Sequence, residues 1–268
     1  EKKKILFISQ EISPFLPKSE VSTTARNLAQ GVQEGGKEIR VFMPRFGVIN
    51  ERRHQLHEVI SLSGINLVIN DLDMPLIIKV ASIPKERVQV YFIDNEEYFS
   101  RKATLTDENG DLFDDNDERA IFFAKGVIET VKKLNWAPDI IHVHGWMASL
   151  LPLYIKEYYS DEPLFSESKI ITSVYNKDFE GELNKDLAEK IKFDKISDDK
   201  IQVLQEPNYT NIIKSAVSNS DAIVQGSQEI PKEISEEIEK TDIPALTYQE
   251  EDSFESYLNF YKELISEE

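Results

Sequence analysis

Apolar residues along the chain fall into short solid blocks separated by polar, turn-forming stretches, and between several blocks the pattern changes to a helical period. The block Ile5–Ile8 is short and continuous, as a strand buried on both faces requires. Ser9 to Glu20, with Pro14 and Pro17, reads as a loop. Ser22 or Thr23 then caps a helix running to Gln33, and Gly35-Gly36 ends it. Glu38 to Met43 follows as a second strand. Strand, loop, helix and strand in this order form a βαβ unit with a right-handed crossover.

Closely spaced β-rich pieces come next, at His57–Leu62, Ile65–Ile69, Leu76–Ser82 and Val88–Ile93. Their spacing predicts a hairpin or meander beside the main sheet. Asp94 to Ser100 is a turn and a short helix, and Thr104 to Asn116 an acidic loop. Glu118 to Leu134 has the clearest helical period, with an apolar face and a face carrying Lys125, Glu129 and Lys132. Asp139 to Tyr154 predicts a buried strand, a tight turn at Gly145 and a helix. Lys169–Val174 and Asp221–Val224 are further strands, and Asn208–Ser218 and Pro231–Lys240 further helices. The polar stretch Glu182 to Ile201 has no clear period and reads as solvated helix faces. Ser253 to Ile265 is an amphipathic helix whose apolar face needs a surface to cover.

Together these elements predict an α/β fold. Its core is a single doubly wound, mostly parallel, Rossmann-like sheet with an added β-rich element. We expect one domain over 1–268, with 228–268 a helical tail packing back on it. A chain of 268 residues is long enough for a substantial core.

Charge narrows the partners. The formal net charge of −18 disfavours nucleic acid and anionic membranes. There is no cysteine, so disulfides, thiolate catalysis and cysteine metal sites are excluded. No apolar run reaches the length of a membrane span, and no secretory pattern opens the sequence, so the expected location is cytoplasmic.

Ligands of open α/β sheets sit outside the carboxyl ends of the strands. His144, Gly145 and Trp146 fall at that edge; Glu11 lies in the loop after the first strand, and Asn176 and Asp178 in the loop opened by the strand at Lys169. His142 lies inside its strand and reads as a hydrogen-bonded core histidine. Trp146 is either a platform for a sugar ring or a packing residue at the helix start. Asn176 either meets a hydroxyl or makes an Asx-turn. His142 and His144 share a strand face, but no third ligand completes a metal site. Glu11 and Asp178 could act as acids or bases, which requires a positioned partner.

Several phrases carry a resemblance as a set: Met43-Pro-Arg-Phe-Gly47, Glu51-Arg-Arg-His54, Phe92-Ile-Asp-Asn95, and Asp139-Ile-Ile-His-Val-His-Gly-Trp146. With Ile5 to Arg45, these resemble the N-terminal domain of the bacterial glycogen synthase and plant starch synthase family. The resemblance runs to about Ser227. It implies one half of a two-domain B-type glycosyltransferase, which transfers glucose from ADP-glucose to an α-1,4-glucan with retention and without a metal or other cofactor. Family-matched substrate-binding positions are Glu11, Tyr98, His144, Trp146 and Asn176. No catalytic residue carries over.

The departures fall on the implied donor site. The family's loop carries lysine, any residue, then two glycines; aligned without gaps, the lysine falls on Pro17 and the glycines on Ser19 and Glu20. Proline supplies neither charge nor N–H, and a carboxylate repels a diphosphate. A one-residue loop shift would bring Lys18 to the lysine position. The family's acidic residue and a following histidine become Gly145 and Met147, and the histidine at the next strand end becomes Tyr175. The resemblance therefore implies a family member reduced to the N-terminal domain and not active alone. The alternative is a non-catalytic glucan-binding, regulatory or interaction module. Implied partners are an α-glucan or nucleotide sugar, and a separate chain supplying the second domain or a second copy of this one.

Overall fold

A computed structural model describes residues 1–250 and 253–265. The elements in order are β1 (Lys4–Ser9), α1 (Glu20–Glu34), β2 (Glu38–Pro44), α2 (Glu51–His54), β3 (His57–Glu58), β4 (Asn66–Ile69), β5 (Leu72–Pro75), β6 (Ile77–Ile83) and β7 (Val88–Asp94). Then come α3 (Glu96–Phe99), α4 (Asn116–Lys133), β8 (Ile140–His144), α5 (Leu151–Lys156), β9 (Lys169–Val174), α6 (Leu187–Lys192) and α7 (Asp198–Ile201). The chain closes with α8 (Tyr209–Ser218), β10 (Ala222–Gln225), α9 (Lys232–Glu239), β11 (Ala245–Leu246) and α10 (Phe254–Leu264).

A nine-stranded sheet has the order β11-β10-β9-β8-β1-β2-β7-β6-β3. Pairing is parallel from β11 through β7, and β6 and β3 extend the edge by antiparallel pairing. The α/β, mostly parallel architecture expected from the apolar blocks is present. The β-rich region differs from expectation, because most of it is built into the main sheet. Among the described residues, only β4 and β5 form a separate hairpin. Neither β5 nor the short β11 was foreseen. Their stretches are too short and mixed to stand out as buried blocks.

From β1 the sheet grows one way through α1 to β2, and from β8 the other way through α5 to β9. Right-handed crossovers therefore place α1 and α5 on opposite faces. The seam between β1 and β8 is the reversal point of the strand order, where ligand crevices form.

On the α1 face, β8 has no crossover helix to cover it, and α10 does so. Tyr261 reaches the buried His142, its hydroxyl 2.7 Å from Nδ1, while Ser173 Oγ lies 2.7 Å from Nε2. Both ring nitrogens are thereby partnered, as burial demands. Phe254 and Leu258 lie against Gly31 and Gly35 of α1, where a Cβ on Gly31 would come within 2.5 Å of the Phe254 ring. The apolar face of the last helix thus docks internally.

Three local expectations are corrected. First, α1 starts at Glu20 and is capped by Ser19, not by Ser22 or Thr23. Ser22 instead completes the cap from inside the helix. Second, α4 is not charged along one face: Lys125 is 3% exposed and its Nζ lies 2.6 Å from Asp194. Third, the stretch around 182–201 folds into α6 and α7, and it buries Leu187, Ile191 and Ile201. Short helices of one or two turns leave too little sequence to show a period.

Candidate functional site

Three strand ends supply the centre of the site. Gln10 and Glu11 leave β1, Gly145 to Met147 leave β8, and Asp178 follows β9. Gln10, Glu11, Trp146, Met147 and Asp178, together with Phe46, Thr104 and Leu105, line a small cavity of about 60 Å³. Gln10 holds the parts together. Its Nε2 donates to Asp178 Oδ2 at 2.7 Å and more weakly to Glu11 Oε2 at 3.4 Å. Its Oε1 accepts from the Met147 N–H at 3.1 Å.

Gly145 is what leaves room for this. It has φ 88° and ψ 161°, a backbone region essentially restricted to glycine. A Cβ there would lie 2.5 Å from Gln10 Cδ. The Gln10 carboxamide therefore fills the volume that a side chain at position 145 would enter. Sequence reasoning missed Gln10. The signal was its position, one residue beyond a buried strand and directly before Glu11.

Two carboxylates bound to one amide repel each other. Burial, then the nearby Asp178 charge, pushes the Glu11 carboxyl above its ordinary value, while hydrogen bonds from Gln10 and Ser19 pull the other way. The Glu11 carboxyl is thus more readily protonated than an ordinary carboxyl and, when protonated, donates a hydrogen bond to a hydroxyl. Asp178 is exposed and accepts.

Beside this cavity lies the start of α1. Ser19 Oγ accepts from the Ser22 N–H at 3.0 Å, and Ser22 Oγ accepts from the Ser19 N–H at 2.8 Å. This capping box uses two of the backbone donors that an anion at a helix N-terminus would need. Ser19 Oγ also donates to Glu11 Oε2 at 3.3 Å. Glu20 opens the helix with another carboxylate. The loop's one cation, Lys18, is exposed and lines a neighbouring cleft of about 410 Å³ with Glu11, Pro17, Val48 and Thr104.

Of the residues singled out in the sequence, the structure brings Glu11 and Trp146 together at the cavity with Asp178. Trp146 is 3% exposed and meets the Phe179 ring edge-on, centroids 5.2 Å apart. Despite that burial it forms part of the cavity wall. His144 lies beneath, fully buried, with Nδ1 2.8 Å from the Tyr175 hydroxyl and no partner for Nε2 among the described residues. Burial pulls its pKa down to about 3, so it is neutral. His142 is lowered by burial and then by His144, whose ring stacks on it at 4.1 Å. The histidine pair is part of the packing below the site.

The remaining two stand apart from the cavity. Asn176 is exposed; its N–H donates to Ser227 Oγ at 2.8 Å, and its Oδ1 accepts from the Lys177 N–H. Tyr98 is 1% exposed and donates to Glu118 Oε1 at 2.9 Å. Burial followed by the Glu118 charge raises its pKa far above the ordinary phenol value. Among the described residues, no cluster of side chains suits a metal ion, and no helix is long and apolar enough to cross a membrane.

Comparison with known proteins follows the same outline. The family model described as starch synthase catalytic domain matches residues 4–246. A glycogen synthase of Chlorobium limicola is 41% identical over 174 residues, covering 65% of this chain and 36% of that protein. A glycogen synthase of Chlorobium luteolum is 35% identical over 226 residues, covering 84% of this chain and 46% of that one. The chain thus spans less than half the length of these curated relatives. Among solved structures, the catalytic domain of starch synthase IV from Arabidopsis thaliana, bound to ADP and acarbose, superposes with a TM-score of 0.68. At 15% identity, with 84% of this chain and 45% of that one covered, that likeness speaks to the fold.

Proposed function

This chain belongs to the starch synthase catalytic domain family, and from that premise we propose that it recognises α-glucan at the cleft around Glu11 and Asp178 without itself activating a nucleotide sugar. The observation that carries this reading is the start of α1. Two of its backbone donors are taken by the Ser19–Ser22 box, Ser19 Oγ also holds the Glu11 carboxylate, and Glu20 opens the helix. Glycosyl transfer from a diphosphate donor needs positive potential or free N–H groups where the leaving group gains charge. Carboxylates there oppose it.

Sugar recognition asks for something different. A pyranose hydroxyl needs short, oriented acceptors and donors beside an apolar surface. Asp178 supplies an acceptor. The raised Glu11 carboxyl supplies a donor or an acceptor, and the Gln10 amide fixes both. Phe46, Leu105 and Trp146 give the apolar side. The adjoining cleft at Lys18, Val48 and Thr104 extends the surface for further sugar units. The ADP and acarbose bound to the Arabidopsis domain illustrate the two recognition tasks. In our reading this chain keeps the sugar task and has given up the diphosphate one.

Calorimetric titration with maltoheptaose tests the proposal on the native chain and on Glu11→Gln and Asp178→Asn. Saturable binding is expected, weakened about tenfold or more by Asp178→Asn, since a hydrogen bond to a charged group contributes about 1.5–3 kcal/mol. No saturable heat from maltoheptaose, or equal binding in all three proteins, overturns it.

A further inference from the structure

Beside α4 lies a hollow of about 490 Å³ that shares no lining residue with the cavities at Glu11. One wall is the β4–β5 hairpin, a second is the turn after α5, and a third is the chain leaving α6. Three of the large apolar side chains that the fold leaves exposed, Val68, Tyr158 and Phe193, line it, one from each wall. Of the fourteen phenylalanines, Phe193 is the one in the exposed class, at 45%. Single exposed apolar residues are ordinary on any surface. Three gathered on one concavity mark an interaction site.

The three walls are tied together from beneath. Asp194, next to Phe193, accepts from Lys125 Nζ at 2.6 Å and from the Tyr154 hydroxyl at 2.6 Å. Lys125 Nζ also donates to the Val68 carbonyl at 2.9 Å and lies 4.8 Å from the centre of the Tyr158 ring. The Tyr158 ring in turn meets Tyr159 edge-on, centroids 4.8 Å apart. One ammonium group thus reaches all three walls. Aromatic side chains fixed in advance lose little freedom when a partner covers them.

Charge selects the partner. Residues 66–75 and 157–167, which supply the first two walls, hold Asp71, Asp73, Glu157, Asp161, Glu162 and Glu167 and no lysine or arginine. Asp73 lies across the hairpin from Val68 and accepts from Asn66 Nδ2 at 2.7 Å. Several nearby cations are already engaged. Lys125 pairs with Asp194, Lys132 lies 3.5 Å from Glu129 and 3.4 Å from Glu162, and Lys192 lies 3.1 Å from Asp198. Lys195, exposed, stands on the third wall. Carboxylates remain in excess around an aromatic hollow. A guanidinium suits both features, because it stacks on an exposed ring and pairs with a carboxylate in its plane. A second copy of this chain suits them less, since each copy carries a net charge of −18. We propose that this hollow docks an arginine-bearing, otherwise apolar segment of another protein. The inference does not depend on what the Glu11–Asp178 cleft binds.

Fluorescence anisotropy with a labelled peptide of leucine, proline and arginine tests it, at about 0.15 M salt so that long-range attraction to the acidic chain is screened. Matched peptides carry lysine or glutamate in place of arginine. Saturable binding of the arginine peptide is expected, about threefold or more tighter than the lysine peptide, with none for the glutamate one. Phe193→Ser should weaken it about tenfold or more and Asp73→Asn about threefold, both at exposed positions. Ile60→Ser, at an exposed apolar residue outside the hollow, should leave it unchanged. The proposal is overturned by no saturable binding, by equal affinity for the lysine or glutamate peptide, by unchanged affinity in Phe193→Ser or Asp73→Asn, or by loss in Ile60→Ser. Sedimentation of the native chain as a dimer that Phe193→Ser dissolves would also overturn it, by assigning the hollow to a second copy.

Discussion

Replacing Gly145 by alanine should be expensive, and the structure says in which currency. The residue sits at φ 88° and ψ 161°, where a Cβ adds about 1–3 kcal/mol of backbone strain. The new methyl would lie 2.5 Å from Gln10 Cδ and 2.6 Å from its Oε1. Gln10 must then swing out, giving up its bonds to Asp178 at 2.7 Å and to the Met147 N–H at 3.1 Å. Asp178 is exposed to solvent in the free protein, so each of the two bonds is counted at about 0.5–1.5 kcal/mol. The sum is a destabilisation of about 2–6 kcal/mol for Gly145→Ala. Urea unfolding of Gly145→Ala, Gln10→Ala and the double variant separates the two parts. Gln10→Ala alone loses only the bonds, and in the double variant they are already gone. The double variant should therefore be more stable than the sum of the singles predicts, by about 1–3 kcal/mol. A loss under ~1 kcal/mol for Gly145→Ala, or strict additivity, would refute the claim that Gln10 occupies the space of a side chain at 145.

Other expectations follow from buried groups. His142 and His144 are held neutral by burial, with His144 at about 3; the unfolded chain takes up protons below about pH 6.5. Their contribution to stability is therefore complete above that pH and is lost as pH falls towards 3, at about 1.4 kcal/mol per pH unit per histidine. His144→Gln should remove one histidine's share of the slope of unfolding free energy between about pH 6 and 4, and an unchanged slope contradicts this. Lys125→Ala leaves Asp194 and the Tyr154 hydroxyl, 2.6 Å apart, without their cation, and should cost about 3–5 kcal/mol in denaturant titration. Gly31→Ala pushes the Phe254 ring from α1 and should lower stability by about 1–3 kcal/mol, read as a fall in Tm; an unchanged Tm would mean that α10 does not rest there.

The order of strands and long helices was readable because each buried strand is a solid apolar block and each long helix repeats its period several times. Ile5–Ile8 and Ile140–Val143 are such blocks, and the stripe from Phe254 to Ile265 repeats its apolar positions at helical spacing. The departures at Pro17, Ser19, Glu20 and Gly145 were also legible as chemistry. Their geometric consequences were not. Ser19 and Ser22 pair across one helical turn, and no spacing rule told which serine would be the cap. Gln10 acquired its place from Gly145, 135 residues away, through a shape relationship that one-dimensional patterning does not carry. Lys125 looked solvated because it occurs at helical spacing with Glu129 and Lys132. Its partner Asp194 comes from a stretch with no readable period.

We propose that the start of α1 receives no diphosphate while the neighbouring cleft receives sugar. Side-by-side calorimetry of the native chain with ADP and with maltoheptaose tests this directly. A saturable isotherm is expected for maltoheptaose and only dilution heat for ADP. Saturable ADP binding that weakens when Lys18 is replaced by alanine would contradict it.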